Sequence, residues 1–151
     1  MHLSAPKVAD RGCILLVDDN QHGLIARKTV LEELGYRITT AADGEEALER
    51  MQASRFDVVV TDFRMPKMGG IELIRRIRET EPAMQVILLS GFVEPLGLTE
   101  QSTGADVVLS KNAGEVRNLV RSVDKLVSRR IPRKPAASQR RPATRVTGST
   151  R

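Results

Sequence analysis

The chain has 151 residues, 40% of them hydrophobic and only 3% aromatic, enough for one domain whose core must rest on Val, Leu, Ile, Ala and Met. No apolar run approaches the ~20 residues of a membrane span, the start has no stretch resembling a signal peptide, and the single cysteine, Cys13, excludes an internal disulfide and fits a reducing cytoplasm. The net charge of +5 belongs to a tail: residues 128–151 carry seven Arg, one Lys and no acid, so the rest of the chain is mildly acidic.

Residues 1–11 read as a polar, disordered leader. Cys13 to Val17 is a short apolar run of the kind that forms a buried parallel strand, with Cys13 a small apolar residue at its head. Leu24, Ile25, Lys28, Leu31 and Leu34 follow at helical spacing, and Gly35 stands where a helix stops. Residues 36–41 read as a second strand. Asp43 lies three residues ahead of Glu46, a capping box opening the helix of Ala47, Leu48 and Met51. Residues 56–61 form a third strand, a loop spans 65–70, and Ile71, Ile74 and Ile77 mark another helix that Pro82 ends before a strand at 85–89. In the 91–104 stretch Pro95 and Gly97 leave room for about two helical turns. A fifth strand at 106–109 precedes an amphipathic helix marked by Val116, Leu119, Val120, Val123, Leu126 and Val127. Residues 131–151, rich in Arg and Pro, are expected to be a disordered basic tail. Strands alternating with helices predict an α/β fold, a doubly wound (βα)5 sandwich over a five-stranded parallel sheet, in residues 12–130.

Polar residues stand where the apolar runs end. Asp18 and Asp19 follow the first run, Asp62 the third, Ser90 the fourth and Lys111 the fifth. In an open α/β sheet such positions converge on one crevice outside the carboxyl ends of the strands. Three carboxylates in one crevice repel, at about 4 kcal/mol for a pair ~4 Å apart at an effective dielectric near 20. A hard divalent cation such as Mg²⁺, which takes oxygen ligands, and the Lys111 ammonium would neutralise them. A carboxylate so placed can act as a nucleophile toward phosphorus, and phosphoryl transfer needs mainly charge neutralisation and alignment.

The pattern resembles the receiver domain of bacterial two-component response regulators. The resemblance runs from about Gly12 to Val127 on five landmarks: Leu15 to Asn20, Ala42 to Leu48, Asp62 to Gly70, Ser90-Gly91, and Gly104 to Asp106 leading to Lys111. It implies a flavodoxin-like receiver fold with Asp62 as phospho-acceptor. Asp18, Asp19 and Asp62 would hold Mg²⁺ together with the backbone carbonyl of Arg64. Ser90 would be the switch hydroxyl and Lys111 the phosphate-binding lysine. The donor would be a sensor histidine kinase or a histidine phosphotransfer protein, and the chain a phospho-acceptor rather than an enzyme, able to take up and lose its own phosphoryl group. Two positions depart from the family: Val108 stands where an aromatic residue is usual, and Asn112 where proline is. Readout is therefore expected through displacement of residues 91–104.

Rival functions fit less well. A phosphatase with an aspartyl nucleophile, of the haloacid-dehalogenase type, needs Asp-x-Asp after the first strand, where this chain has Asp18-Asp19-Asn20. No glycine-rich nucleotide-binding loop is present. The basic tail invites nucleic-acid binding, but it lacks aromatic residues for stacking and any recognisable motif. That composition argues against specific DNA recognition and for weak, salt-sensitive contacts with acidic partners. Nothing points to a membrane, and a cytoplasmic location is expected.

Overall fold

The computed structural model describes residues 10–91 and 96–130. The leader up to residue 9, residues 92–95 and the tail expected over 131–151 lie outside the described residues. In chain order the elements are β1 (Cys13–Val17), α1 (Gln21–Glu33), β2 (Arg37–Ala41), α2 (Gly44–Ala53), β3 (Val58–Asp62), α3 (Gly70–Thr80), β4 (Gln85–Ser90), α4 (Glu100–Thr103), β5 (Val107–Ser110) and α5 (Glu115–Arg130). All strand pairings are parallel, in the order β2-β1-β3-β4-β5. This is the doubly wound, flavodoxin-like arrangement, with its switch point between β1 and β3.

The central strands β1, β3 and β4 are largely apolar on both faces because helices cover both. Leu15, Val17, Val59, Val86 and Leu88 point to the side of α2 and α3, where they meet Ala47, Leu73, Ile74 and Ile77. Their neighbours Ile14, Leu16, Val58, Val60, Ile87 and Leu89 point the other way, onto Leu24 and Leu31 of α1 and Leu119, Val123 and Leu126 of α5. The alternation is the period of two expected of a strand.

Several expectations need correction. In α1 the buried stripe is Leu24, Arg27 and Leu31, whereas Ile25 and Leu34 are exposed. In α3 the inward face is Leu73, Ile74 and Ile77, and Ile71 is exposed. Val116 at the start of α5 is exposed too. The second strand starts at Arg37 because the Tyr36 N–H is spent on the Leu31 carbonyl at 3.1 Å, closing α1. Cys13 is half-buried, and its Sγ accepts from Arg37 Nη2 at 3.3 Å. The α2 cap forms, with Asp43 Oδ1 accepting from the Glu46 N–H at 2.8 Å. Glu46, however, reaches back to the N–H of Ala42 at 2.7 Å rather than to that of Asp43. Among the described residues of 91–104, the α-helix α4 is a single turn. It has a Thr99/Ser102 capping box and ends at Gly104 with φ +82°.

Strand starts carry a repeated device. Asp57 Oδ2 accepts the Cys13 N–H at 2.9 Å, and Asp106 Oδ2 accepts the Val86 N–H at 2.7 Å, each satisfying a donor just before the neighbouring ladder begins. Asp106 also receives Arg78 Nη2 at 3.0 Å, and that guanidinium reaches the Gly104 carbonyl at 2.9 Å, tying α3 to the entry of β5. Asp106→Ala, which strands the Val86 N–H, is expected to cost about 2 kcal/mol, with Asp106→Asn costing less because it keeps an acceptor. Urea denaturation of the two variants checks the order.

Candidate functional site

The register brings the polar strand ends to one rim. Val17 pairs with Thr61, Asp62 with Leu89 and Ser90 with Ser110, which sets Asp18 one step past β1, Asp62 and Ser90 at the last positions of β3 and β4, and Lys111 one step past β5. The Lys111 N–H donates to the Ser90 carbonyl at 2.9 Å, carrying the ladder one residue further. Asp18, Asp19, Asn20, Asp62, Phe63, Arg64, Ser90, Gly91 and Lys111 line one cleft of about 490 Å³. All six residues singled out in the sequence are therefore in one place.

Local geometry fixes each of them. Asp18 is 1% exposed; its Oδ1 accepts the Asn20 N–H at 2.9 Å, and Asn20 Oδ1 in turn caps α1 through the Gly23 N–H at 3.1 Å. The Phe63 N–H donates to the Leu89 carbonyl and the Gly70 N–H to the Phe63 carbonyl, both at 2.8 Å, so the chain doubles back just past Asp62. A side chain at 70 could not be accommodated: a Cβ there would lie 2.4 Å from the Asp62 carbonyl oxygen. In the loop between, Lys67 takes φ +68°, a left-handed conformation uncommon outside glycine.

Asp18, Asp19 and Asp62 each bring a carboxylate oxygen within 4.8 Å of the others, the first and last buried and Asp19 exposed. Lys111 Nζ forms an ion pair with Asp62 Oδ1 and lies 3.8 Å from Asp18 Oδ2. Burial pushes the Asp62 carboxyl above its ordinary range; the hydrogen bond from Lys111 opposes the shift and the charge of Asp18 adds to it. The chemistry these groups offer is a set of hard oxygen donors beside a fixed ammonium, with the Ser90 side chain, 1% exposed, on the same rim.

Two charged residues of this neighbourhood escaped the sequence reading. Arg27 Nη1 donates to Asp18 Oδ2 at 2.9 Å, and its Nε to Glu115 Oε2 at 2.6 Å. The signal was present: positions 24, 27 and 31 share one helix face, and a charged member of a buried stripe needs a buried partner. Val108 packs against the core on the α3 side of the sheet, and its N–H donates to Glu100 Oε2 at 3.1 Å, holding α4 to β5.

Residues 14–124 match the family model of the response regulator receiver domain. The chain belongs to that family. A receiver protein, CpdR of Brucella abortus, is 31% identical over 114 residues, covering 76% of this chain and 95% of CpdR. The gliding motility regulatory protein of Myxococcus xanthus is 35% identical over 124 residues, covering 78% of this chain but only 16% of that protein. Among solved structures, the response regulator TrrA of Thermotoga maritima, in complex with Mg²⁺–BeF, superposes with a TM-score of 0.68 at 32% identity, covering 76% of this chain and 97% of that one. Receiver domains are signalling modules of two-component systems, phosphorylated by sensor histidine kinases, and the family binds Mg²⁺ at its acidic pocket. No described helix of this receiver is long and apolar enough to cross a membrane.

Proposed function

We propose that this receiver accepts a phosphoryl group on Asp62 in an Mg²⁺-dependent step, from a phosphohistidine of a sensor kinase or phosphotransfer protein. The observation that carries the reading is the Asp18, Asp19 and Asp62 oxygens gathered within 4.8 Å beside Lys111. That donor set fits Mg²⁺: all its ligands are hard oxygens, two are buried carboxylates, and the cleft is open enough for phosphate oxygens and water to complete the shell. Asp18, Asp19, Asp62 and the Arg64 backbone carbonyl are the residues that would hold the ion. Once bound, it supplies charge neutralisation for phosphoryl oxygens.

The rest follows from the chain's own groups. An Asp62 carboxylate oxygen forms the new O–P bond as the N–P bond to the donor imidazole breaks, and the leaving imidazole keeps the electron pair and is protonated from solvent. Lys111, already paired with Asp62, is positioned to follow the negative charge outward onto the phosphoryl oxygens. The Ser90 hydroxyl, at the adjacent strand end, donates to another of them. Water attacking phosphorus in the same cleft breaks the acyl O–P bond, releases inorganic phosphate and returns the carboxylate. Readout runs through residues 91–104, where the Glu100 carboxylate holds α4 to the Val108 N–H.

The test is incubation with acetyl phosphate and Mg²⁺, then intact mass and peptide mapping. One added phosphoryl group, mapped to Asp62 and lost when EDTA replaces Mg²⁺, is expected. Phosphate on another residue, or uptake indifferent to EDTA, would defeat the reading.

A further inference from the structure

Arg27 is a cation in the core. Its side chain is 8% exposed, and it bridges Asp18 at 2.9 Å to Glu115 at 2.6 Å, tying the acidic cleft to the first residue of α5. The helix is built to let it through. A Cβ on residue 23 would stand 3.2 Å from Arg27 Nη1 and 3.3 Å from Asp18 Oδ2, so Gly23 provides the space in which the two groups meet. Asp18 therefore has a protein partner on each oxygen: Oδ1 holds the Asn20 N–H, and Oδ2 faces Arg27 with Lys111 Nζ 3.8 Å away.

A buried guanidinium does not release its proton at any ordinary pH, and a charge so placed is poorly screened by salt. It satisfies a buried carboxylate, which would otherwise be strongly destabilising. It also repels any further cation arriving at the same oxygens. These effects have opposite consequences for folding and for metal binding.

We propose that Arg27 is a resident counter-ion of the acidic cleft, keeping the domain stable when no divalent cation is bound and weakening Mg²⁺ binding by competing for Asp18, with Glu115 tempering the charge the cleft feels. The proposal rests on the reading of the cleft as an Mg²⁺ site, and makes Arg27 a positioning residue rather than a catalytic one.

Isothermal titration of the full chain with MgCl₂, paired with thermal melts in EDTA and in Mg²⁺, tests it. Arg27→Met keeps the aliphatic stem and removes the charge. It is expected to bind Mg²⁺ about tenfold more tightly, to melt lower than wild type in EDTA, and to recover much of that loss in Mg²⁺. Glu115→Gln should shift affinity the other way, to a Kd about threefold weaker, because Arg27 then acts on the cleft undiluted. A purely structural arginine would lower the melting temperature equally in both buffers and leave Kd unmoved, which overturns the proposal, as does Arg27→Met binding Mg²⁺ more weakly. Absence of Mg²⁺ binding in wild type and Arg27→Met alike overturns the metal reading and the proposal together; binding in both with one Kd overturns the proposal alone. If Arg27→Met melts too low to titrate, Glu115→Gln decides, since it leaves Asp18 paired.

Discussion

Asp62→Asn is expected to abolish phosphoryl uptake from acetyl phosphate and, in metal-free buffer at neutral pH, to raise the melting temperature. The first effect is chemical, since an amide cannot form the acyl phosphate. The second is electrostatic. Asp62 is 7% exposed and sits beside Asp18, so burial and like charge both disfavour its ionised form, and its pKa lies above the ordinary 3.8 despite Lys111. Two carboxylates ~4 Å apart repel by about 4 kcal/mol at an effective dielectric near 20, most of it offset here by Lys111. A net gain of about 1 kcal/mol, near 4 °C, is expected for the isosteric amide. The sign follows from linkage: a carboxyl whose folded pKa is raised destabilises the fold above that value, and the penalty is gone below the unfolded value of 3.8. Melts of the two proteins across the acid range should converge as the pH falls. Added Mg²⁺ should reverse their order at neutral pH, because only the wild type has its full set of carboxylate ligands. A variant that melts lower than wild type in EDTA at neutral pH would show that Asp62 is well satisfied by Lys111 and carries no strain.

Gly70→Ala is expected to be among the most damaging single-methyl changes available. The added Cβ would stand 2.4 Å from the Asp62 carbonyl oxygen, 2.8 Å from Leu88 Cδ1 and 3.1 Å from Phe63 Cα. Two of those atoms are backbone and cannot step aside, so α3 must move away from the end of β3. Overpacking of this kind costs about 3 kcal/mol, roughly 10 °C. The carbonyl struck belongs to the proposed phospho-acceptor, so uptake from acetyl phosphate should slow as well. Gly91→Ala is the matched control: nothing lies within 4 Å of a Cβ there, and its stability should stay within about 0.5 kcal/mol of wild type. Equal melting temperatures for the two variants would mean that the α3 start yields more easily than its contacts imply.

What the sequence made legible has a physical basis. Parallel strands buried on both faces must be apolar throughout, so Ile14 to Val17, Val58 to Val60 and Val86 to Leu89 announce themselves, and a polar residue one or two positions past each marks the rim. That is why Asp18, Asp62, Ser90 and Lys111 could be placed without coordinates. The helices were harder. Apolar spacing puts Ile25, Leu34, Ile71 and Val116 on the helical stripes, but each lies at the edge of its stripe and is exposed. Arg27 shares the inward face of Leu24 and Leu31, but apolar spacing passes over a charged residue, and the groups that let it be buried, Asp18, Glu115 and the bare Gly23, meet only in the fold. Residues 106 and 57 illustrate a third limit. Each aspartate reads as part of its own strand, and only the neighbouring strand shows that its carboxylate closes a ladder.

The strand order has a consequence for synthesis. β1 is flanked by β2 on one edge and β3 on the other, so when the first two strands leave the ribosome one row of amides and carbonyls on β1 is still bare. The fourth and fifth strands extend the sheet on the far side of β3, and the ammonium at 111 arrives last. No nascent chain ending before it carries every group of the notch, so the proposed phosphoryl uptake has to wait until synthesis has passed residue 111.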